Sequence, residues 1–273
     1  MSGFSYPDPT AILALDGELS GSEREFRDRV RNLVDSRIRP EIGGWFARAE
    51  FPRGLVSALA KVGMLGTSLT GCGCPGLSAV KYGLGAMELE AGDSGIRTFV
   101  SVQGSLAMTA IHRWGSEEQK SALLPGMALG EILGCFALTE PGAGSDPSGM
   151  TTTARLIDGE WNINGTKRWI GMASIADVAI VWAKTLEGIR GFVVPTSDEG
   201  FRATPLEPKL SMRASIQCDV VLDGGAHSGV CCAPGFDGPG VGARMPERGA
   251  VRHRLGRDGR SPGQPCWMPC PTR

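Results

Sequence analysis

Apolar residues recur every three or four positions through the first part of the chain, which is the spacing of one helix face. Ser22 with Glu25 predicts a capping box that opens the first helix, and Pro40 predicts its end. Its apolar face consists of Phe26, Val30, Leu33, Val34 and Ile38. Further helices are predicted over 55–62, 78–91 and 97–112, and from Ser116, which pairs with Gln119 in a second capping box.

From about Leu133 the pattern changes to short runs of β-branched and aromatic residues, which are typical of strands. The turn signals Asp158-Gly159 and Asn164-Gly165 predict hairpins between these runs. The runs are LGCFAL, TTTARL, EWNING, KRWIG, VAIVWA, GFVV and CDVVLD. Helices followed by strands predict an α+β fold with an all-α N-terminal domain over 1–133 and a compact antiparallel β domain over 134–224.

The composition changes again near residue 224. Glycine and proline supply 41 of the first 224 residues but 17 of the last 49, where seven arginines occur without a lysine. Too few large apolar residues remain to offset the entropy of ordering about fifty residues. The segment 225–273 is therefore interpreted as a disordered tail or as sequence translated out of frame. A nucleic-acid-binding arm is disfavoured because the arginines form no stripe and no aromatics are interleaved with them.

Overall charge and composition narrow the class of protein. With 41% hydrophobic residues and a formal net charge of −1, the chain can bury a core and has no charge excess to attract nucleic acid or an anionic membrane. The start of the chain lacks a signal peptide pattern, and we expect a soluble, cytoplasmic protein. Eight cysteines without a CxxC pair predict free thiols and no metal site.

Three segments carry candidate chemistry. The string CFALTEPGAGSDPSGM at 135–150 would present backbone amides beside Thr139 and Ser145, as suits a heteroaromatic ring or a phosphate, unless it is an ordinary surface loop. NGTKRWIGMAS at 164–174 carries Trp169, which a core position would also explain. Between predicted helices lie Glu90, Arg97 and Ser101, for which a solvated helix surface is the alternative.

Taken together and in this order, the motifs closely resemble the acyl-CoA dehydrogenase family, and most closely its glutaryl-CoA dehydrogenase branch, from about residue 8 to 224. The motifs are GCGCPGLSAVKYGL, ELEAGDSGIR, SVQGSLAM, GSEEQK, LGCFALTEPGAGSDPSGM, NGTKRWIG, DVAIVWAK, IRGFVV and KLSMRAS. The resemblance implies a helical N-terminal domain, a β-barrel middle domain and a C-terminal four-helix domain, the last of which is missing from this sequence.

The resemblance also implies FAD as the cofactor, bound against the middle domain. The residues that match its flavin-contacting positions are Phe136, Leu138, Thr139, Gly144, Ser145, Trp169, Ile170 and Gly171. The family often has serine or threonine at the position of Gly171, where an amide remains but a hydroxyl does not.

In the glutaryl branch, an arginine and a serine hold the distal carboxylate of the substrate, and these match Arg97 and Ser101, with Glu90 nearby and Ser145 as a further substrate contact. A guanidinium suits this task because it can pair bidentately with a carboxylate. The implied reaction is α,β-dehydrogenation of glutaryl-CoA with decarboxylation to crotonyl-CoA, in a homotetramer that passes electrons to an electron-transferring flavoprotein. A short-chain acyl-CoA dehydrogenase and a non-catalytic remnant are the alternatives.

No catalytic residue is assigned, because the family's glutamate base lies in a YEGT-like motif that the sequence lacks. Glu140 belongs to the TEP motif and is not that base. Codons for Met245–Ser261 can be chosen so that the next reading frame spells CLNEARYGIVWGAMGA, which resembles the start of the family's C-terminal domain. We therefore expect truncation by a frameshift at Gly224 or Gly225.

Overall fold

The computed structural model describes residues 15–227 and the side chains of 16–224, so the predicted tail lies almost wholly outside the described residues. The first part of the chain is helical, as the apolar spacing predicts. The helices are α1 (Gly21–Leu33), α2 (Ile42–Arg48), α3 (Val56–Lys61), α4 (Ala79–Gly92), α5 (Ser94–Val100), α6 (Thr109–Trp114) and α7 (Glu117–Leu129). Short 3₁₀ turns lie at Leu15–Gly17, Arg53–Leu55 and Pro147–Gly149. None of the described helices combines the length and the apolar content that a membrane span requires.

Two helical stretches widen into π-helical hydrogen bonding, which the sequence pattern did not indicate. One is Val34–Ile38, directly after α1, and the other is Ser101–Met108, which joins α5 to α6 into one continuous helix. Such π segments often mark functional sites, because the extra residue changes which side chains share a face. The second one contains a predicted substrate residue, Ser101.

The start of α1 differs from the prediction. Ser20 is the N-cap in an extended conformation: its hydroxyl accepts from the Glu23 amide at 3.3 Å, and the Glu23 carboxylate accepts from the Ser20 amide at 2.8 Å. The Ser22–Glu25 capping box is therefore wrong by two residues, because Ser22 already lies inside the first helical turn. The capping box at Ser116 and Gln119 is confirmed.

The helical part packs around the predicted face of α1. Phe26, Val30, Val34 and Ile38 are fully buried, and Leu33 is nearly so. Arg31 of α1 pairs bidentately with the buried Glu88 of α4, with N···O distances of 3.0 and 2.8 Å. The apolar contacts and this ion pair fix α1 against the helix that carries Glu90.

The second part is a seven-stranded, curled and mostly antiparallel sheet, which confirms the predicted fold class. A separate two-stranded hairpin, β1 (Thr70–Gly71) with β2 (Cys74–Pro75), lies between helices. The sheet strands are β3 (Gly134–Ala137), β4 (Thr153–Ile157), β5 (Glu160–Gly171), β6 (Val178–Thr185), β7 (Gly188–Pro195), β8 (Phe201–Pro205) and β9 (Gln217–His227). The order is β3-β6-β4-β5-β9-β8, and β7 pairs with β6. β3 runs parallel to β6, from Gly134 opposite Val178 to Ala137 opposite Val181.

One of the two predicted hairpins is wrong. Asp158-Gly159, with φ values of 51° and 86°, forms the turn between β4 and β5 as expected. Asn164-Gly165 instead lies within the single strand β5, next to a shift in its register with β9. Gly165 is needed there for close packing, because a Cβ on it would lie 2.7 Å from Thr152 Cα. Strand β8, over Phe201–Pro205, had no counterpart among the predicted runs.

Candidate active site

The loop after β3 is held against β5 by backbone and side-chain hydrogen bonds. The Arg168 amide donates to the Thr139 carbonyl at 2.8 Å, and Lys167 Nζ donates to the Leu138 carbonyl at 3.1 Å. Glu140 and Ala143 exchange backbone hydrogen bonds of 3.1 and 3.2 Å, which close the loop into a tight turn. The two sequence motifs at 135–150 and 164–174 therefore form one surface.

A buried ion pair lies beneath that surface. Lys167 Nζ is 2.9 Å from Glu140 Oε1, and both side chains are almost completely buried. The Glu140 carboxylate also accepts from the Thr151 amide at 2.6 Å, the Thr151 hydroxyl at 2.8 Å and the Thr152 amide at 3.0 Å. Burial alone would raise the pKa of Glu140, but the hydrogen bonds from Lys167, Thr151 and Thr152 outweigh it and lower that pKa to about 2. Burial also lowers the pKa of Lys167, against the effect of Glu140. An ionised, fully hydrogen-bonded carboxylate fits a structural role.

Trp169 stands out from the surface of β5. Its side chain is 57% exposed, its φ is 63°, and the Arg168 guanidinium carbon lies 5.0 Å from its ring centroid. The register with β9 shifts between Lys167 and Ile170, and such a bulge re-aims a side chain relative to a regular strand. The alternative that Trp169 is a core residue is therefore wrong.

The other predicted cofactor residues divide into two sets. Gly144 and Ser145 are exposed on the loop, and Thr139 is half-buried. Ile170 is buried, and the half-buried Phe136 and Leu138 pack on the core near Trp182, whose ring centroid lies 6.0 Å from that of Phe136. The buried set can offer a ligand its backbone more readily than its side chains.

An exposed aromatic ring beside an open polar loop is a suitable surface for a large planar cofactor. In the described part of the chain, no atom beyond the neighbouring residues lies within 4 Å of the position that a Cβ on Gly142 or Gly144 would take, so the loop backbone is open there. Trp169 supplies a face for stacking, and Thr139 supplies a hydroxyl. These features fit a flavin.

A second group of polar residues lies where α4 faces the helix from Ser94 to Trp114. Arg97 Nε donates to Glu90 Oε2 at 2.6 Å, and Arg97 Nη1 lies 3.4 Å from Ser101 Oγ. Glu90 also accepts from the Ser94 hydroxyl at 2.6 Å, and this hydrogen bond together with the one from Arg97 lowers the pKa of Glu90. Glu90, Arg97 and Ser101 are thus brought together as predicted, whereas no hydrogen bond within residues 15–227 joins Ser145 to them.

Sequence reasoning missed two members of this group. The Tyr82 hydroxyl lies 3.2 Å from Ser101 Oγ and accepts from Ser105 Oγ at 3.0 Å. The four-residue spacing of Arg97, Ser101 and Ser105 was a signal that could have placed Ser105 on the same helix face. Nothing in the local pattern indicated Tyr82, because it reaches the group from α4.

The polar group and the β5 surface adjoin each other. A Cβ on Gly171 would lie 3.3 Å from Cγ2 of Val102, the residue after Ser101. The next residue, Gln103, is fully buried, accepts from the Gly134 amide at 2.7 Å and donates to the Ile132 carbonyl at 2.9 Å. Gln103 therefore ties the helix that carries Arg97 and Ser101 to the start of β3.

Comparison with protein families identifies the chain. A model of the acyl-CoA dehydrogenase N-terminal domain matches residues 20–131, and a model of the acyl-CoA dehydrogenase middle domain matches residues 135–224. The chain belongs to the acyl-CoA dehydrogenase family. The predicted resemblance is thereby confirmed at the level of the family.

Individual acyl-CoA dehydrogenases resemble the chain to different degrees. The human mitochondrial short-chain specific acyl-CoA dehydrogenase is 35% identical over 212 residues, which cover 76% of this chain and 52% of that protein. A glutaryl-CoA dehydrogenase structure from Mycobacterium smegmatis in complex with FADH2 is 49% identical with a TM-score of 0.80, covering 84% of this chain and 60% of that chain. A glutaryl-CoA dehydrogenase structure in complex with glutaryl-CoA is 30% identical with a TM-score of 0.76, covering 83% of this chain and 59% of that chain. The chain spans about half the length of the curated relatives that it matches.

Proposed function

We propose that this chain forms the acyl-CoA- and FAD-binding part of an acyl-CoA dehydrogenase that acts on glutaryl-CoA. The observation that carries the proposal is the position of the Arg97 side chain, which is 36% exposed and places its guanidinium beside the Ser101 hydroxyl, with Nε hydrogen-bonded to Glu90. Within the described residues, the Nη2 group of Arg97 makes no hydrogen bond. It is left to pair with an anionic group at the end of an acyl chain.

The flavin would lie against Trp169 and the loop 139–145, with the Thr139 hydroxyl and loop amides as hydrogen-bonding partners. When bound, FAD supplies the acceptor for the hydride that leaves the acyl chain. The buried Glu140–Lys167 pair keeps the loop and β5 together beneath that surface. Gly171 contributes an amide but no hydroxyl, and the contact with Val102 leaves little room for a side chain there.

Similarity to glutaryl-CoA dehydrogenases supports the choice of substrate. Two structures of that enzyme from Mycobacterium smegmatis are 49% and 51% identical to the chain, whereas a butyryl-CoA dehydrogenase structure from Megasphaera elsdenii is 27% identical. We further propose dehydrogenation with decarboxylation to crotonyl-CoA, and an electron-transferring flavoprotein as the electron acceptor, as in the family.

A short-chain monocarboxylic acyl-CoA is the second candidate substrate. It is favoured by the curated relatives, several of which are short-chain specific acyl-CoA dehydrogenases, and by the Glu90 partner that Arg97 already has. In that case Arg97 would serve only to join α4 to α5. Binding of the two substrates separates these functions.

The test is calorimetric titration of the full 273-residue chain, with FAD added, with glutaryl-CoA and with butyryl-CoA. We expect wild type to prefer glutaryl-CoA by at least about tenfold, because one charge-assisted pair contributes about 1.5–3 kcal/mol. Arg97→Gln should abolish the preference for glutaryl-CoA without weakening the affinity for butyryl-CoA. Arg202→Gln is the matched control, since that arginine pairs with Asp223 on an exposed surface.

Equal or tighter binding of butyryl-CoA by wild type would exclude the glutaryl assignment in favour of the second candidate. The non-catalytic alternative is tested in the same samples by turnover with an artificial electron acceptor. Reduction of the acceptor with glutaryl-CoA would exclude the non-catalytic alternative, and binding without reduction would support it.

A further inference from the structure

The Tyr82 hydroxyl bridges two serines of the neighbouring helix. It lies 3.0 Å from Ser105 Oγ, which donates to it, and 3.2 Å from Ser101 Oγ. The ring is half-buried and packs on the helical core, which holds the hydroxyl in place. Ser101 also lies 3.4 Å from Arg97 Nη1.

The available hydrogens determine which hydroxyl donates and which accepts in this row of hydrogen bonds. A tyrosine hydroxyl has one hydrogen, and since Ser105 donates to Tyr82, that hydrogen is available for Ser101 Oγ. Arg97 can only donate, so Ser101 Oγ has donors on two sides. Among the described residues Ser101 makes no hydrogen bond to Glu90, the anion of the group, which accepts from Ser94 and Arg97 instead. The single hydrogen of Ser101 is then left for an anion placed beside Arg97.

We propose that Tyr82 is a positioning residue that directs the Ser101 hydrogen toward the distal carboxylate of the acyl-CoA. This inference rests on the proposed function, because it needs an anionic acyl terminus at Arg97. Hydrogen bonds in a chain polarise one another, so the donation from Tyr82 also makes Ser101 a stronger donor. Tyr82 would thereby help to select a dicarboxylic over a monocarboxylic acyl group without touching the substrate.

A purely structural role for Tyr82 predicts something different. Its ring packs on the core in either case, and Tyr82→Phe keeps the ring while removing the hydroxyl. A structural effect would alter the affinities for glutaryl-CoA and butyryl-CoA alike. A positioning effect alters only the affinity for the ligand with the second carboxylate.

The experiment measures both affinities, by titration of the full chain with FAD, for wild type, Tyr82→Phe, Ser101→Ala and the double variant. We expect Tyr82→Phe to weaken the affinity for glutaryl-CoA about threefold to tenfold, which corresponds to one net hydrogen bond. The affinity for butyryl-CoA should stay within about twofold of wild type. In the Ser101→Ala background, Tyr82→Phe should have no further effect on the preference. Thr109→Val, which removes a hydroxyl bonded to the Gly104 carbonyl of the same helix, is the control that should leave the preference unchanged.

The outcomes separate this inference from the proposed function. If wild type prefers glutaryl-CoA and Ser101→Ala loses the preference while Tyr82→Phe keeps it, the role of Tyr82 is overturned and the proposed function stands. That role is likewise overturned if Tyr82→Phe acts equally in the Ser101→Ala background. If wild type shows no preference, both fall together.

Discussion

Glu140 illustrates how much of a residue's role depends on contacts that sequence does not encode locally. Its place in a TEP motif argued against a catalytic base, and its surroundings agree: Lys167 and the Thr151 and Thr152 amides all donate to its carboxylate. Both charges are almost completely buried. Removing one member of such a pair leaves an uncompensated charge in the interior, which costs more than the pair contributes.

We therefore predict that Glu140→Gln lowers the free energy of unfolding at pH 7 by about 3 kcal/mol. Because the pKa of Glu140 is lowered from 4.5 to about 2 in the folded state, the unfolded chain binds one more proton between those values. The carboxylate's contribution is full above pH 4.5 and is lost as the pH falls toward 2. Urea unfolding of both proteins from pH 7 downward measures this. The difference in free energy of unfolding between wild type and Glu140→Gln should shrink as the pH falls from 4.5 toward 2.

The control for this prediction is Glu187→Gln, which changes an exposed glutamate that pairs with Arg190. Surface ion pairs contribute little, so this variant should stay within about 0.5 kcal/mol of wild type at pH 7. A constant difference between wild type and Glu140→Gln from pH 7 to pH 2 would show that the ionised carboxylate is not what stabilises the fold.

The rest of the candidate site also depends on contacts between residues that are distant in the sequence. Glu90, Arg97 and Ser101 were predicted together from motif resemblance, and the structure joins them because they lie on adjoining helices. Tyr82 was missed because sequence spacing cannot show which side chains meet across two helices. Trp169 was placed in the right strand, but its exposure depends on the bulge in β5.

At the scale of elements, apolar periodicity predicted the helices other than α2, and runs of β-branched and aromatic residues predicted most strands. Boundaries were less certain: the cap of α1 is Ser20 because only one of the two serines adopts the extended N-cap conformation. The hairpin predicted at Asn164-Gly165 is wrong for a clearer reason. An asparagine–glycine pair is a frequent hairpin turn, yet here the glycine serves a close approach between β5 and Thr152.

That interpretation predicts that Gly165→Ala destabilises the fold by about 1–3 kcal/mol, in the range of an overpacked core. The added methyl group would lie 2.7 Å from both Cα and Cβ of Thr152, and closer still to its hydroxyl, so backbone has to move. Gly43→Ala is the matched control: no atom of the described residues outside α2 and the neighbouring positions lies within 4 Å of a Cβ on Gly43, and alanine favours the helix. Chemical denaturation of the two variants should therefore show changes of opposite sign.

Equal midpoints for Gly165→Ala and wild type would mean that β5 can shift away from Thr152 at little cost. The double substitution Gly165→Ala with Thr152→Ala measures this directly, because it removes the Thr152 hydroxyl, the atom that would lie nearest to the added methyl group. Partial recovery of stability is the result that close packing requires.

At the scale of the whole molecule, the order of helices before strands gave the fold class, and the contacts between the two parts could not be foreseen. The clearest such contact is made by Arg213, in the segment between β8 and β9. Its Nε donates to the Phe46 carbonyl at 2.8 Å and its Nη2 to the Ala47 carbonyl at 2.9 Å, at the C-terminal end of α2. These partners are more than 160 residues away in the chain, beyond any local pattern.

Arg213 also donates to the Lys209 carbonyl at 2.9 Å, so one guanidinium joins three carbonyls. Lysine cannot reproduce this because its single ammonium group lacks the planar fork. We predict that Arg213→Lys lowers the free energy of unfolding by about 1–2 kcal/mol, from the loss of charge-assisted hydrogen bonds at the helix C-terminus. Amide hydrogen exchange should quicken over 42–48 and 206–216, while the central strand β6 keeps its protection.

Arg202→Lys is the matched control, because within residues 16–224 the Arg202 guanidinium forms an ion pair only with the exposed Asp223, so both segments should stay unchanged. If Arg213→Lys instead exchanged like wild type over 42–48, the two parts would be joined mainly by buried contacts such as the Gln103–Gly134 hydrogen bond. Gln103 follows Val102, which faces Gly171, so the position of the polar group of Arg97 and Ser101 relative to β5 would then depend on Gln103.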